Sequence, residues 1–170
     1  MRQRQRGFTL IEVMAVMLIL ALLSAAAAWT FARPLARARA AQAIELLTSF
    51  DASSRLAARR FGRSVEMRFD LADGTLQRLE GGEVAYRGTL PRGFGIEQLR
   101  TADDVRDAGE GTIECSRLSL SPSYALKLVG PGGFERWLVV AGLSGQVTSA
   151  RDESDVEAIL NLKAARRSAH

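Results

Sequence analysis

Apolar positions fall at helical spacing over the first part of the chain and alternate with polar ones over most of the rest. Phe8 to Ala32 spans 25 positions with one ionisable side chain, Glu12. The uninterrupted apolar run Val13–Leu23 is followed by Ser24 and by Ala25–Ala28. A membrane crossing takes roughly 20 residues, so the segment is long enough to span a bilayer. It exceeds the usual signal-peptide core of about 7 to 15 residues and continues through Trp29 and Phe31 into more helix formers. The pattern therefore predicts a retained membrane helix over 8–32. Beyond Pro34, the residues Ala36, Ala40, Ala43, Leu47 and Phe50 recur at spacings of three and four, with Arg33, Arg37, Arg39 and Glu45 free to face water. This predicts that the helix continues as an amphipathic half over 33–60. Pro34 removes one backbone hydrogen bond from it and predicts a kink.

After Phe61 the period changes to two. Val65, Met67, Phe69 and Leu71 alternate with Glu66, Arg68 and Asp70, the signature of a strand with one buried face. Segments Ser64–Leu71, Thr75–Leu79 and Glu83–Gly88 are separated by Asp73-Gly74 and Gly81-Gly82, both strong hairpin turns. Further strands are predicted at Phe94–Leu99, Ile113–Leu120, Tyr124–Val129, Arg136–Val140 and Gln146–Ser149, broken by Pro131-Gly132-Gly133 and Ser144-Gly145. The expectation is an antiparallel meander forming a head over 61–150. Ser154-Asp155-Val156-Glu157 reads as a capping box for a last helix through Ala165, within a C-terminal segment 151–170. Its apolar residues Val156, Ile159, Leu160 and Leu162 suit docking on the head. The fold class is α+β: one long helix, an antiparallel sheet and a short C-terminal helix.

Charge alters this picture mainly by exclusion. The chain carries a formal +4, but Arg2, Arg4 and Arg6 supply three of its cations before the apolar run begins. From Phe61 to His170 there are 14 Lys and Arg against 16 Asp and Glu, a net of −2. General nucleic-acid binding by the head is not expected. Cys115 is the only cysteine; an intramolecular disulfide is excluded, and a small buried apolar residue is the expected role. The stretch Ala102–Gly111 gathers Asp103, Asp104, Asp107 and Glu110, but without the ordered ligand spacing of an EF-hand and with Arg106 among the acids. It reads as a solvated loop rather than a calcium site. The only histidine is His170, and no Ser-His pair, metal cluster or Walker-type Gly-Lys-Ser is present. The expectation is no enzyme, no cofactor and no metal.

Glu12 is the anomaly. A carboxylate at mid-span costs on the order of 2.5–3.5 kcal/mol unless it finds a partner, and no Lys or Arg lies near it on the apolar side. Snorkelling to the headgroups, protonation, and pairing with a cation from another chain are the alternatives. The string Gly7-Phe8-Thr9-Leu10-Ile11-Glu12, after a short Arg-rich leader and before the apolar run, resembles the type III signal of type IV prepilins and pseudopilins. The resemblance implies a pilin-like fold and cleavage between Gly7 and Phe8 by a prepilin peptidase, removing residues 1–7. It also implies N-methylation of Phe8 and a bacterial inner-membrane protein whose head is periplasmic. Glu12 would pair with the Phe8 amine of a neighbouring pilin or pseudopilin and set assembly register.

A second resemblance lies in Ile113–Ala150, where Ser121-Pro122, Gly130-Pro131-Gly132-Gly133, Trp137-Leu138-Val139-Val140 and Leu143-Ser144-Gly145-Gln146-Val147 occur in order. It is similar to the C-terminal part of minor pseudopilins and minor pilins of the GspH and FimT type, with Leu118 and Leu120 standing where that type has an aromatic before the proline turn. It implies a structural subunit of a type II secretion pseudopilus, working with an assembly platform. The alternatives are a minor type IV pilin in adhesion, motility or DNA uptake, and a bitopic membrane protein with a ligand-binding head and an unprocessed leader.

Overall fold

The structure is a computed structural model that describes residues 9–167, without the side chains of 26–33 and 161–167. Packing divides the chain into two units, Met1–Ala38 and Arg39–His170. Helix α1 (Leu10–Phe61) contributes to both.

In the first unit, Thr9 immediately precedes α1 and its carbonyl accepts from the N–H groups of Glu12 and Val13 at 3.1 and 3.2 Å. The apolar side chains that follow are exposed on every side, from Leu10 at 80% to Leu22 and Leu23. A helix apolar all round needs a lipid or protein environment to cover it. Among the described residues, no helix is long and apolar enough to cross a membrane. Of the predicted span, Phe8 and the side chains after Ala25 are not among them. Pro34 lies inside α1, one turn before the boundary between the units.

The second unit contains the rest of α1, nine strands and helix α2 (Glu153–Arg167). The strands are β1 (Val65–Asp70), β2 (Thr75–Glu80), β3 (Glu83–Thr89), β4 (Gly95–Thr101), β5 (Val105–Arg106), β6 (Glu110–Cys115), β7 (Tyr124–Gly130), β8 (Phe134–Val140) and β9 (Val147–Ala150). They form two antiparallel sheets rather than the single meander expected, in the orders β3-β2-β1-β6 and β5-β4-β7-β8-β9. The difference lies in β1, which pairs with β2 on one side and with the distant β6 on the other, Val65 opposite Cys115 and Asp70 opposite Glu110. Alternation fixes which face of a strand is buried but not its neighbour in the sheet.

The helical stripe Ala40, Ala43, Leu47, Phe50 and Ala58 is buried against Val65, Met67 and Phe69 of β1, Ile113 of β6 and Leu126, Leu128 and Leu138 of the second sheet. Phe50 meets Phe69 edge to face at 5.6 Å. A second core lies on the other face of β7 and β8, where Ala125, Trp137 and Val139 pack against Val156 and Leu160 of α2. Buried on both faces, β8 ends in the unbroken apolar run Trp137-Leu138-Val139-Val140. Docking of α2 on the head is thus observed. Its capping box is not: α2 begins at Glu153, the Asp152 carbonyl accepts from Val156 at 3.4 Å, and Glu157 pairs with Arg100 instead. Arg100 also binds Glu153 and lies over the Trp137 ring at 5.8 Å.

Two further segments differ from expectation. The acidic stretch is exposed, as expected of a solvated loop, but includes the short strand β5, and Asp104 in it pairs with Arg106 at 2.8 Å. The strand expected over Ile113–Leu120 starts earlier and stops at Cys115, because Ser116–Leu120 closes into a loop through Ser116 N–H to Leu120 O at 2.7 Å. Val156, fully buried, anchors α2. Val156→Asp should undock this helix, raising amide exchange over 153–160 by at least tenfold while the core around Phe50 keeps its protection. Unchanged exchange over 153–160 would refute the anchoring role.

Candidate assembly site

Of the predicted processing residues, Gly7 and Phe8 lie outside the described residues, whereas Glu12 is in the first turn of α1. Thr9 caps this helix: its Oγ1 is 3.4 Å from the Glu12 N–H, in the Thr-x-x-Glu spacing of a capping box. The Thr9-x-x-Glu12 spacing that signals the cap lies within the longer Gly7–Glu12 motif. The carboxylate of Glu12 is exposed and makes no ion pair among the described residues. Its position in the first turn places it near the positive end of the helix dipole, with Leu10, Ile11, Val13 and Met14 exposed around it. An acid surrounded by apolar surface on an uncovered helix is suited to contact with another molecule that supplies a cation.

A second polar centre, which the sequence reading missed, lies within the head. Asp51 occurs between the core residues Leu47, Phe50 and Ser54 of α1 and is 1% exposed. One turn later, Arg55 Nε donates to Asp51 Oδ2 at 2.7 Å, and Tyr124 donates its hydroxyl to Asp51 Oδ1 at 2.8 Å. The rest of the guanidinium serves two loops. Nη1 donates to the carbonyls of Ser119 and Gly142, and Nη2 to Ser121 Oγ, all at 2.8 Å. Ser119 returns a bond from its Oγ to the Arg55 carbonyl at 2.8 Å and holds a left-handed φ of 63°. The i, i+4 pair of opposite charges at Asp51 and Arg55 was the available clue, hidden because charged helix residues usually face solvent.

Burial, the largest single influence on Arg55, lowers its pKa. The hydrogen bond and charge of Asp51, with smaller contributions from Tyr124 and Cys115, outweigh it and carry the pKa above the usual value. Burial, then the charge and hydrogen bond of Asp51, push Tyr124 well above the ordinary phenol range. Burial likewise raises the Cys115 thiol against the opposing charge of Arg55. Cys115 is fully buried, as expected. Among the described residues no three of His, Cys, Asp and Glu are grouped to hold a metal ion.

Residues 2–28 match the family described as the prokaryotic N-terminal methylation motif. No curated protein matches the chain. Among solved structures, the fold is similar to that of the minor pseudopilin EpsH from the Type 2 Secretion System of Vibrio cholerae. The TM-score is 0.52 at 9% identity, over 68% of this chain and 97% of that one. The chain thus joins a prokaryotic N-terminal methylation motif to a fold similar to that of a minor pseudopilin.

Removing one member of the buried pair should be costly. Arg55→Met is expected to lower unfolding free energy by roughly 3–5 kcal/mol by leaving Asp51 charged and unpaired, measurable by urea denaturation. Tyr124→Phe, which removes one donor, should cost about 1–3 kcal/mol. A loss below the error of the measurement for Arg55→Met would mean that the pair does not hold the loops.

The raised Tyr124 and Cys115 values also give a pH dependence. The folded protein keeps these protons where the unfolded chain releases them, so stability is full below the unfolded pKa values and falls as pH rises beyond them. The melting temperature should therefore decline from about pH 9 upward. Tyr124→Phe should flatten the part of this decline above about pH 10.

Proposed function

We propose that the chain is a minor pseudopilin of a type II secretion system, a structural subunit that enters a short periplasmic filament and supports protein secretion. The observation that carries the reading is the methylation motif over 2–28 joined to a head with the fold of a minor pseudopilin. The motif is equally compatible with a minor type IV pilin. The likeness of the head favours the secretion reading, and its net charge of −2 gives no support to DNA uptake.

In this reading residues 1–7 form a cytoplasmic leader, 8–32 the membrane and assembly half of α1, and 33–60 its amphipathic half. The remainder is the periplasmic head with its C-terminal helix. Prepilin peptidase cuts after Gly7, where the absent side chain lets the backbone lie extended in a protease cleft. Cleavage creates an amine on Phe8 with an unperturbed pKa of about 8, which the peptidase methylates. That amine is the cation missing around Glu12, and pairing between neighbouring subunits sets register, because a subunit docked out of step leaves its carboxylate unpaired in an apolar environment. Other pilins or pseudopilins and the assembly platform in the inner membrane are its partners.

Mass spectrometry of the membrane-extracted protein tests the first step, with N-methyl-Phe8 expected at the mature N-terminus. Retention of residues 1–7 would favour a bitopic anchor and end the filament reading. Glu12→Ala should leave cleavage intact and reduce co-sedimentation with filaments at least tenfold; undiminished incorporation would remove the register role.

A further inference from the structure

The Arg55 centre also decides what the head shows to solvent. Arg55 Nη1 donates to the Ser119 and Gly142 carbonyls at 2.8 Å each, so those two oxygens lie no more than twice that distance apart. The Ser121 N–H reaches the same Gly142 carbonyl at 3.1 Å, and Ser119 Oγ donates to the Arg55 carbonyl at 2.8 Å. Each of these anchoring residues has a leucine beside it in the chain: Leu56 after Arg55, Leu118 and Leu120 on either side of Ser119, and Leu143 after Gly142. All four are exposed, Leu56, Leu118 and Leu143 by 65%, 66% and 71%. The bonds that tie the loops to Arg55 therefore gather four exposed leucines around one point of the head, a clustering that marks contact surfaces, whereas scattered single apolar residues do not.

The chain around these leucines carries charge of one sign. The three stretches that meet here, 52–65, 116–134 and 136–151, contain no Asp or Glu. Arg59 follows Leu56 by three positions, which places the two side by side on α1, and Arg117 precedes Leu118. Both arginines are exposed, and neither makes an ion pair among the described residues.

We propose that this surface docks an acidic, apolar segment of a different protein, whose apolar side chains meet Leu56, Leu118, Leu120 and Leu143 and whose carboxylates meet Arg59 and Arg117. Charge complementarity selects the acidic partner. Two copies of this chain meeting patch to patch would set arginine against arginine, which like charge disfavours. Recognition of an anionic bilayer uses clusters of about four to eight Lys or Arg, more than the two cations beside these leucines. The loops are moreover fixed by the Arg55 bonds, with Ser119 held at a left-handed φ of 63°. A surface ordered in advance lowers the entropy lost on binding a partner of defined shape, an advantage that a fluid bilayer does not use. The contact concerns the head alone and does not depend on cleavage after Gly7.

Photocrosslinking of the full-length protein in the cells that make it tests the contact. A benzophenone amino acid replaces Leu118 or Leu143 or, as a control, the exposed Glu135 at the opposite end of β8, and the adducts are sequenced by mass spectrometry. Positions 118 and 143, but not 135, should each capture a segment of a different protein that holds Asp or Glu among apolar residues. Arg59→Glu and Arg117→Glu together should leave the melting temperature unchanged and lower the yield at least fivefold, and replacing the acids of the captured segment by Lys should restore it. Capture of a second copy, of lipid, or of a segment without acids would overturn the proposal. So would a yield indifferent to charge reversal, equal capture from position 135, or no adduct from protein that melts normally.

Discussion

The buried ion pair of Asp51 and Arg55 is the interaction on which the arrangement of the head depends. Two loops, one between β6 and β7 and one between β8 and β9, lack regular structure at the points where they meet α1. They turn the Ser119 and Gly142 carbonyls toward Arg55. A buried carbonyl without a donor costs on the order of 1–3 kcal/mol; Arg55 supplies the donor for Ser119 and a second one for Gly142, which also accepts from the Ser121 N–H at 3.1 Å. Only a cation with several N–H groups in one plane can serve both loops from one position. Its charge then requires Asp51, and the second oxygen of Asp51 requires Tyr124. A hydrophobic isostere of the pair would leave the Ser119 carbonyl without its donor and the Gly142 carbonyl with the Ser121 N–H alone. Gly142 shows how tightly this region is built: a Cβ there would lie 2.0 Å from the Ser121 carbonyl oxygen.

The helix and the sheets are organised around that centre by alternation. Along β7 and β8, successive side chains point to opposite faces, so that Tyr124, Leu126 and Leu138 join the core under α1 while Ala125, Trp137 and Val139 join the core under α2. One sheet is thus held between two helices, and the second helix is latched by Arg100 to Glu153 and Glu157. This explains why α2 is amphipathic and why β8 has no polar position from Trp137 to Val140.

What the sequence conveys well is local. Asp73-Gly74 and Gly81-Gly82 lie at the turns they predict, with positive φ at Gly74, Gly81 and Gly82, and β1 alternates as its residues require. What it conveys poorly depends on distant partners. The pairing of β1 with β6 joins residues forty to fifty positions apart, and no period in either strand specifies it. The end of β6 at Cys115 is equally hidden, because Ser116–Leu120 could continue the strand but for Arg55, sixty-four residues away from Ser119. For the candidate assembly site, Glu12 is legible as a charge out of place, whereas the capping role of Thr9 depends on where the helix starts. The likeness to a minor pseudopilin at 9% identity follows the same division, since patterning and volume can be conserved in a fold while individual residues change.

Asp51 and Glu12 present one physical problem with two solutions. Both are carboxylates on α1 among apolar neighbours, and each is unfavourable in a low-dielectric environment without a cation. At Asp51 the chain supplies one a single turn later, Arg55, so the charge is neutralised within the fold and adds to its stability. At Glu12 the corresponding position is Val16, and no Lys or Arg lies between Phe8 and Ala32. A carboxylate that its own sequence leaves unpaired ties the stability of that segment to a charge obtained from elsewhere. In the proposed reading that charge is created by cleavage after Gly7, so that removal of the leader becomes the event that makes the helix able to assemble. The distinction between a residue that folds the subunit and one that joins it to others then reduces to whether a cation stands four positions along the helix.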